Sequence, residues 1–241
     1  MKKFKLTSEF IVDISGVKLF RIKALIEFGN VKAGDLGGYI EKEENLSHMG
    51  NAWVSGNAQV SGDARVSGNA RVSGDAQVFG DARVSGNAQV SGNAQVSGDA
   101  RVSGNAQVFG DARVSGNARV FGDAQVSGNA QVSGNARVFG DAQVSGDARV
   151  SGNAQVFGDA RVSGDARVSG DKDYAYAHGF GSCNRTTTFF RLKDGDVGVR
   201  CGCFYGTLAQ FRDKVCETHG ETKKAQEYLM LADLMEIRFK N

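Results

Sequence analysis

A six-residue repeat runs without interruption from residue 51 to residue 170 and occupies about half of the 241-residue chain. Each of the twenty copies, or hexads, reads Asn/Asp, Ala, x, Val, Ser/Phe, Gly, where x is Gln or Arg in nineteen copies and Trp in one. Ala and Val stand two positions apart, so they share one face of an extended strand and x lies on the other. Repeats this short indicate a solenoid, in which stacked coils bury a common interior.

The chemistry of the hexad predicts a triangular prism. Because x is polar, Ala and Val point inward, and the β-branched Val favours extended backbone. Gly and the following Asn or Asp form the corner, since these residues tolerate positive φ. Three hexads close a triangle of eighteen residues, so twenty hexads predict between six and seven coils. Strands stacked at about 4.8 Å give a prism about 30 Å long.

This pattern resembles the hexapeptide-repeat family, although glycine here stands one place later than is common in that family. The resemblance implies left-handed winding. We therefore expect a fold dominated by β-structure, namely a left-handed parallel β-helix, a triangular prism with 18 residues per coil. We place an N-terminal β-hairpin cap at residues 1–50, the β-helix at residues 51–170 and a small C-terminal α+β domain at residues 171–241.

The first 50 residues do not repeat. Residues 10–14 and 17–22, separated by Ser15 and Gly16, predict a β-hairpin with a tight turn. Residues 31–40 read as a glycine-rich loop that leads into the prism. Together with residues 46–53, this segment is similar to the start of YdcK-type proteins, bacterial hexapeptide-repeat proteins described as acyltransferases. The resemblance covers roughly the first 60 residues and implies a β cap that seals the first coil.

The last 71 residues exceed what a cap requires. Residues 186–192 and 197–204 predict a second hairpin. Thr207 is a plausible N-cap of a helix that Gly220 ends, and a second helix follows over about residues 221–239. The tail is similar to small domains of phage and prophage proteins, which implies a phage or prophage setting. We expect residues 171–241 to contact an unknown protein or small-molecule partner.

One face of the predicted prism carries a column of arginines, because residues eighteen apart stack. Its members are Arg65, Arg83, Arg101, Arg119 and Arg137. Cations about 5 Å apart could bind a chain of anionic groups. The alternative is a solvated face on which arginines pair with nearby aspartates, a weak interaction at a surface. The sequence leaves both interpretations open.

Phenylalanine replaces serine at three corners that stack along one edge, Phe121, Phe139 and Phe157. An exposed aromatic ladder predicts a contact with another subunit or partner, and self-stacking that covers the corner is the alternative. Prisms of the hexapeptide-repeat family commonly assemble as trimers. The resemblance therefore implies a homotrimer with this ladder at its interface.

The composition of the chain limits its expected partners and its expected location in the cell. The formal net charge of +2 does not indicate a general affinity for nucleic acid or membrane, and no apolar run reaches membrane-spanning length. The N-terminus is too polar for a signal peptide, so we expect a cytoplasmic protein. In that compartment Cys183, Cys201, Cys203 and Cys216 are expected as buried free thiols. Zinc is the alternative, but the one-residue spacing of Cys201 and Cys203 is unlike a zinc knuckle, and we predict no metal site.

The family includes many acyltransferases, which use a histidine base and an acyl-CoA or acyl-carrier donor. All three histidines of this chain, His48, His178 and His219, lie outside the hexads, and no loop interrupts the array. We therefore favour a non-catalytic structural or binding protein without a cofactor, which presents its C-terminal domain for interaction. An acyltransferase using acyl-CoA is the alternative, with His48 and His178 as candidate bases. A protein that binds a small anionic ligand is a further alternative.

Overall fold

The computed structural model describes residues 2–181 and 185–240. The chain begins with β1 (Phe4–Val12), β2 (Lys18–Ala24), β3 (Leu36–Ile40) and a 3-10 turn (Glu43–Asn45). Each hexad then forms one two-residue strand, and these strands are numbered β4–β23. A second 3-10 turn (Asp171–Asp173) leads to the last elements, which are β24 (Tyr174–Phe180), β25 (Arg185–Arg191), β26 (Val197–Cys201), β27 (Phe204–Thr207), α1 (Leu208–His219) and α2 (Lys223–Phe239).

The twenty hexad strands stack into three parallel faces. Face 1 contains Trp53–Val54, Arg71–Val72, Gln89–Val90, Gln107–Val108, Gln125–Val126, Gln143–Val144 and Arg161–Val162. Face 2 contains Gln59–Val60, Gln77–Val78, Gln95–Val96, Arg113–Val114, Gln131–Val132, Arg149–Val150 and Arg167–Val168. Face 3 contains Arg65–Val66, Arg83–Val84, Arg101–Val102, Arg119–Val120, Arg137–Val138 and Gln155–Val156.

Strands in register are eighteen residues apart, as in the pairing of Arg101 with Arg119. The solenoid therefore has about seven turns of three strands each, which confirms the eighteen-residue coil and the prism predicted from the hexad. Its left-handed winding stays a prediction.

The interior of the solenoid is solid and apolar. Every hexad Ala and Val is at most 1% exposed, so the inward assignment of these residues is confirmed. Along each face the N–H of the outward residue donates to the alanine carbonyl of the next coil, for example from Arg101 to Ala118 at 2.9 Å. Stacking thus pairs the backbone polar groups that a buried strand cannot leave unsatisfied.

The corners between stacked coils depend on glycine for two reasons. At Gly104, φ is +70°, a conformation that residues with a Cβ rarely adopt. A Cβ at that position would also lie 2.8 Å from the backbone nitrogen of Gly122 in the next coil. Beside the glycines, corner amides bond to one another along the stack, as Asn69 does to Asn87 at 3.0 Å.

The N-terminal cap pairs the carbonyls that the first coil leaves without a preceding coil. These carbonyls belong to Ala52, Ala58 and Ala64. They accept hydrogen bonds from the Lys3 ammonium at 2.7 Å, the Tyr39 backbone N–H at 2.9 Å and the Asn45 side-chain amide at 2.9 Å, respectively. β1 and β2 form the predicted hairpin. The predicted glycine-rich loop is instead a strand over its last five residues, because β3 extends face 2.

The opposite end of the solenoid presents N–H groups, and side-chain oxygens accept from them. The backbone N–H of Gln155 donates to the Asp171 carboxylate at 3.1 Å, and that of Arg161 donates to the Thr188 hydroxyl at 2.9 Å. The two ends of the solenoid thus have opposite polarity. Donors close the first coil and acceptors close the last one.

The C-terminal elements form an antiparallel sheet in the order β24-β25-β26-β27, against which α1 and α2 pack. Thr207 accepts a hydrogen bond from the Gln210 N–H and Gly220 ends α1, as the sequence predicts. The predicted strand over residues 197–204 is interrupted, because Gly202, with a φ of +58°, and Cys203 form a turn between β26 and β27. No helix within the described ranges has the length and apolar character to cross a membrane.

Candidate functional site

A groove of about 760 Å³ lies where the N-terminal cap meets face 3, and His48 lines it together with Glu43, Arg65 and Arg83. The His48 ring stacks on Phe4 with 4.4 Å between ring centroids. Its Nδ1 accepts a hydrogen bond from the Lys3 backbone N–H at 3.2 Å. Its Nε2 is buried and lies 3.6 Å from the Glu43 carboxylate.

The hydrogen bond from Lys3 occupies Nδ1 of His48, and Nε2 is buried without a hydrogen-bond partner among the described residues. A neutral imidazole that accepts at Nδ1 carries its proton on Nε2, so no free lone pair faces the groove. A general base must instead reach the proton that it removes. The ammonium of Lys2 and then the His48 ring hold the pKa of Glu43 below its usual range. His48 in this geometry serves the cap, and the groove that it lines has no accessible imidazole base.

A second groove, of about 680 Å³, lies between the last coils and the C-terminal sheet. His178 contributes to it from β24, with its Nδ1 2.8 Å from the Thr186 hydroxyl and 3.8 Å from the Asp159 carboxylate. Arg161 and Arg185 line the same groove and are exposed. Two guanidinium groups beside a histidine can bind a small anion. His178 is the more accessible of the two predicted histidines, and it lies at the other end of the solenoid from His48.

The five predicted arginines lie in one line on face 3. Each is exposed, and each strand pairs in register with the next. None of the five side chains forms an ion pair with any part of the chain that the structure describes. Asp63, the nearest aspartate in sequence to Arg65, bonds to Lys42 at 2.7 Å, and after Lys42 the charge of Arg65 also lowers the pKa of the Asp63 carboxyl. The five guanidinium groups are exposed to solvent without an ion pair in the described part of the chain.

Phe121, Phe139 and Phe157 stack along the edge between face 3 and face 1, as the eighteen-residue period predicts. Their ring centroids are 5.0 Å and 5.2 Å apart. The ladder ends against Tyr176, which meets Phe157 edge-on at 5.5 Å. Phe157 stays 37% exposed, so self-stacking covers the ladder only in part.

The thiols are less buried than expected. Cys201 is half-buried and accepts a hydrogen bond from the Thr187 hydroxyl at 3.2 Å, whereas Cys203 and Cys216 are exposed. The expectation of buried thiols is wrong for the latter two, because Cys203 lies in a tight turn and Cys216 on the outer side of α1. Cys183 falls outside the described residues. Among the residues that are described, no group of three His, Cys, Asp or Glu side chains is arranged to hold a metal ion.

Sequence reasoning missed an apolar stripe on the outer face of α2. Met230, Leu234 and Ile237 are 71%, 55% and 71% exposed. Their spacing of four and three residues places them on one side of the helix. The sequence shows this spacing, but Ala225, Leu229, Ala232 and Met235 already predict a buried face for the helix without it.

Three stacks of two-residue strands around a solid apolar interior define a β-solenoid repeat protein. The repeat array matches the family model of the YdcK β-solenoid repeat. The family model matches residues 58–74, 64–78, 76–92, 94–110, 106–120, 112–128, 124–143, 142–158 and 154–170. The matches lie within the hexads and begin in the second one, and the tail lies outside them. No curated protein matches the chain.

Proposed function

We propose that this protein is a non-catalytic cytoplasmic solenoid that presents residues 171–241 as a head for binding another protein. The observation that carries the proposal is the exposed stripe of Met230, Leu234 and Ile237 on α2. A phage or prophage setting belongs to the proposal and is supported by the similarity of the tail to such domains.

The stripe is apolar on a helix that already has a buried face. Tyr228, Ala232 and Met235 pack against the C-terminal sheet and are at most 5% exposed. Burying a large apolar side chain is worth roughly 1.5–3 kcal/mol, so leaving three in water forgoes a substantial stabilisation. Contiguous exposed apolar surface of this kind marks interaction sites on soluble proteins. A helix of a partner, laid along the stripe, is the simplest match for residues at this spacing.

The solenoid supports this role as a rigid spacer. Its hexads continue without insertion, its interior contains only Ala and Val side chains, and its corners stack on one another. An acyltransferase instead needs an accessible base and a donor pocket. His48 is occupied by the cap, and His178 lies in an open groove without an apolar wall for an acyl chain. Binding of a small anion in that second groove stays an alternative.

The test is a cross-linking pull-down from cell extract with a tagged form of this protein. It compares the proteins retained by the parent with those retained by a variant in which the stripe is altered. Leu234→Glu places a charge in the stripe, and Met49→Glu, at a residue 79% exposed on the other end, is the matched control. We expect one protein to be retained by the parent and by Met49→Glu and lost by Leu234→Glu. The purified protein must then bind the parent with at least tenfold higher affinity than Leu234→Glu. Equal retention by all three forms would remove the stripe from any binding role.

A further inference from the structure

A third groove, of about 500 Å³, lies where the N-terminal cap meets face 1. The solenoid contributes the first three outward residues of that face, Trp53, Arg71 and Gln89, which stack in register. The cap contributes Asp35 and Leu36, at the start of β3. The groove therefore lies at the end of the solenoid opposite to the C-terminal domain.

The groove adjoins the one hexad whose outward residue is neither Gln nor Arg. Trp53 takes this position and is only 7% exposed, because the Phe28 ring meets its indole edge-on with 5.4 Å between ring centroids. A Cβ at Gly37 would lie 2.7 Å from the same indole, so that glycine lets the cap pack closely against it. The cap thus holds the indole in place as an apolar part of the groove.

The groove also has exposed apolar surface beside the indole. Leu36 is 52% exposed, whereas the other four residues of β3 are buried, and Val31 is half-buried. Water therefore covers an apolar side chain at this point. An apolar group of a ligand that displaced this water would be stabilised by burial against Leu36 and Trp53.

Two opposite charges line the same groove, and each has unused bonding capacity. Arg71 is exposed and forms no ion pair within the described ranges. One carboxylate oxygen of Asp35 accepts from the Lys32 backbone N–H at 2.8 Å, and the other has no hydrogen bond to any described residue. This turn fixes the carboxylate without neutralising its charge. A guanidinium can bind a carboxylate through two parallel hydrogen bonds, and a carboxylate can accept from an ammonium.

We propose that this groove binds a small zwitterion with an apolar side chain, the chemistry shared by apolar amino acids and short peptides of them. Arg71 binds the carboxylate of the ligand, Asp35 accepts from its ammonium, and its side chain packs against Leu36 and Trp53. One cation and one anion in the groove match a ligand that carries one charge of each sign. An anion without an ammonium would leave Asp35 unpaired beside it.

The size of the groove fits this class of ligand. Small-molecule sites span roughly 300–1,000 Å³, and the groove is large enough for a dipeptide as well as for a single amino acid. The site is independent of the partner proposed for the head, because it shares no residue with the stripe on α2.

Trp53 allows binding to be measured at the groove itself. It is the only tryptophan of the chain, so a change in tryptophan fluorescence reports on this site, and calorimetry measures the same titration independently. The probes are L-leucine and L-alanyl-L-leucine, compared with 4-methylpentanoate, which lacks the ammonium, and 3-methylbutylamine, which lacks the carboxylate. We expect saturable binding of a zwitterion and at least tenfold weaker binding of both singly charged probes. The tighter of the two zwitterions distinguishes an amino acid from a peptide as the ligand.

The proposal is overturned if neither zwitterion gives saturable binding by fluorescence or calorimetry. Equal binding of a zwitterion and of either singly charged probe would overturn it as well.

A first variant tests the cation. Arg71→Gln installs the residue that the same column carries in its next four coils, and we expect it to weaken zwitterion binding at least tenfold. Arg113→Gln is the matched control, because Arg113 is an exposed arginine of face 2 that stacks between Gln95 and Gln131. Both variants are expected to keep the circular dichroism spectrum of the parent. Equal affinities of the two variants would remove Arg71 from the site.

A second variant tests the anion. Asp35→Asn keeps an oxygen for the backbone hydrogen bond of its turn and removes the charge. We expect it to weaken zwitterion binding at least fivefold and to leave the binding of 4-methylpentanoate unchanged or tighter, because that probe has no ammonium for Asp35 to bind. An unaltered affinity for the zwitterion, or an equal loss for both probes, would refute the role of Asp35.

Discussion

Single side chains cap the ends of the solenoid, and Lys3 is the one that caps a carbonyl of the first coil while it is itself buried. The side chain is 1% exposed, and its ammonium donates to the carbonyls of Ala52 and Gly50. It also lies over the Phe28 ring at 4.7 Å. Burial lowers the pKa of Lys3 from its ordinary value of 10.5 to about 8. A lysine amine donates hydrogen bonds in either protonation state, so it can still close the coil after it loses its charge.

This pKa predicts a pH dependence of stability. Between pH 8 and 10.5 the unfolded chain binds the Lys3 proton that the folded chain has released, so the free energy of unfolding rises with pH, by at most about 1.4 kcal/mol per unit. Below this window Lys3 is charged in both states and adds no slope. Burial raises the pKa of Tyr174 to about 12, which opposes this rise above pH 10, so the rise is measured in urea melts between pH 8 and pH 10. Lys3→Met is expected to abolish the rise, and a parent whose stability is flat or falling over the window would contradict the assignment.

The interior tolerates no charge. Val102 is fully buried among alanine and valine side chains, so Val102→Asp leaves a carboxylate without a partner and is expected to cost about 4 kcal/mol or more in a urea melt. Gln107 points outward from the following strand of the chain, which belongs to face 1. Gln107→Glu is the control, and its free energy of unfolding is expected to change by no more than about 0.5 kcal/mol. Equal effects of the two substitutions would be incompatible with the buried environment of Val102.

At the scale of the element, the hexad does not vary at three positions, which are the inward Ala and Val of the strand and the Gly of the corner. The outward strand position accepts Gln, Arg and Trp, whereas the sixth position of all twenty hexads is Gly. The corner glycine must combine positive φ with close approach to the coil above it, as Gly104 does. The strand itself needs only an inward Ala and Val. Sequence uniformity at the corner therefore has a steric cause in this chain.

Gly104→Ala tests that cause. A left-handed backbone costs a residue with a Cβ roughly 1–2 kcal/mol, and the 2.8 Å contact with the Gly122 nitrogen adds to it, so we expect a loss of about 2 kcal/mol or more. Gly170→Ala is the matched control, because its φ of −159° suits any residue and nothing lies within 4 Å of its added Cβ. Thermal melts of both variants compare them directly. A Gly104→Ala variant as stable as Gly170→Ala would show that the corner does not require glycine.

At the scale of the whole molecule, the repeating part could be predicted from the sequence, and the contacts that cap the two ends of the solenoid could not. The hexad determines the register, because each residue stacks on the one eighteen positions later, and the Phe121 to Phe157 ladder follows from counting. The hydrogen bonds that cap the ends instead join residues remote in sequence, such as Lys3 with Ala52 or Thr188 with Arg161. No local period encodes such pairs. The hydrogen bond to Nδ1 of His48 could not be predicted for the same reason, since its donor is the backbone of Lys3.

The molecule as a whole is a rod whose interior is filled by alanine and valine side chains, and α2 exposes an apolar stripe at one end of it. Its two histidine-lined grooves lie at opposite ends. A protein built in this way is suited to position binding surfaces at a fixed distance. The central claim of the proposed function is that the protein binds a partner without catalysing a reaction.

Thermal melts with and without millimolar acetyl-CoA test that claim most directly. A ligand that binds only the folded state raises the melting temperature by mass action, and an acyltransferase has to bind its donor. The account predicts that the melting temperature of the parent protein does not change with acetyl-CoA, and that His48→Ala and His178→Ala behave in the same way. A saturable rise in the melting temperature of the parent that either histidine variant abolishes would contradict it.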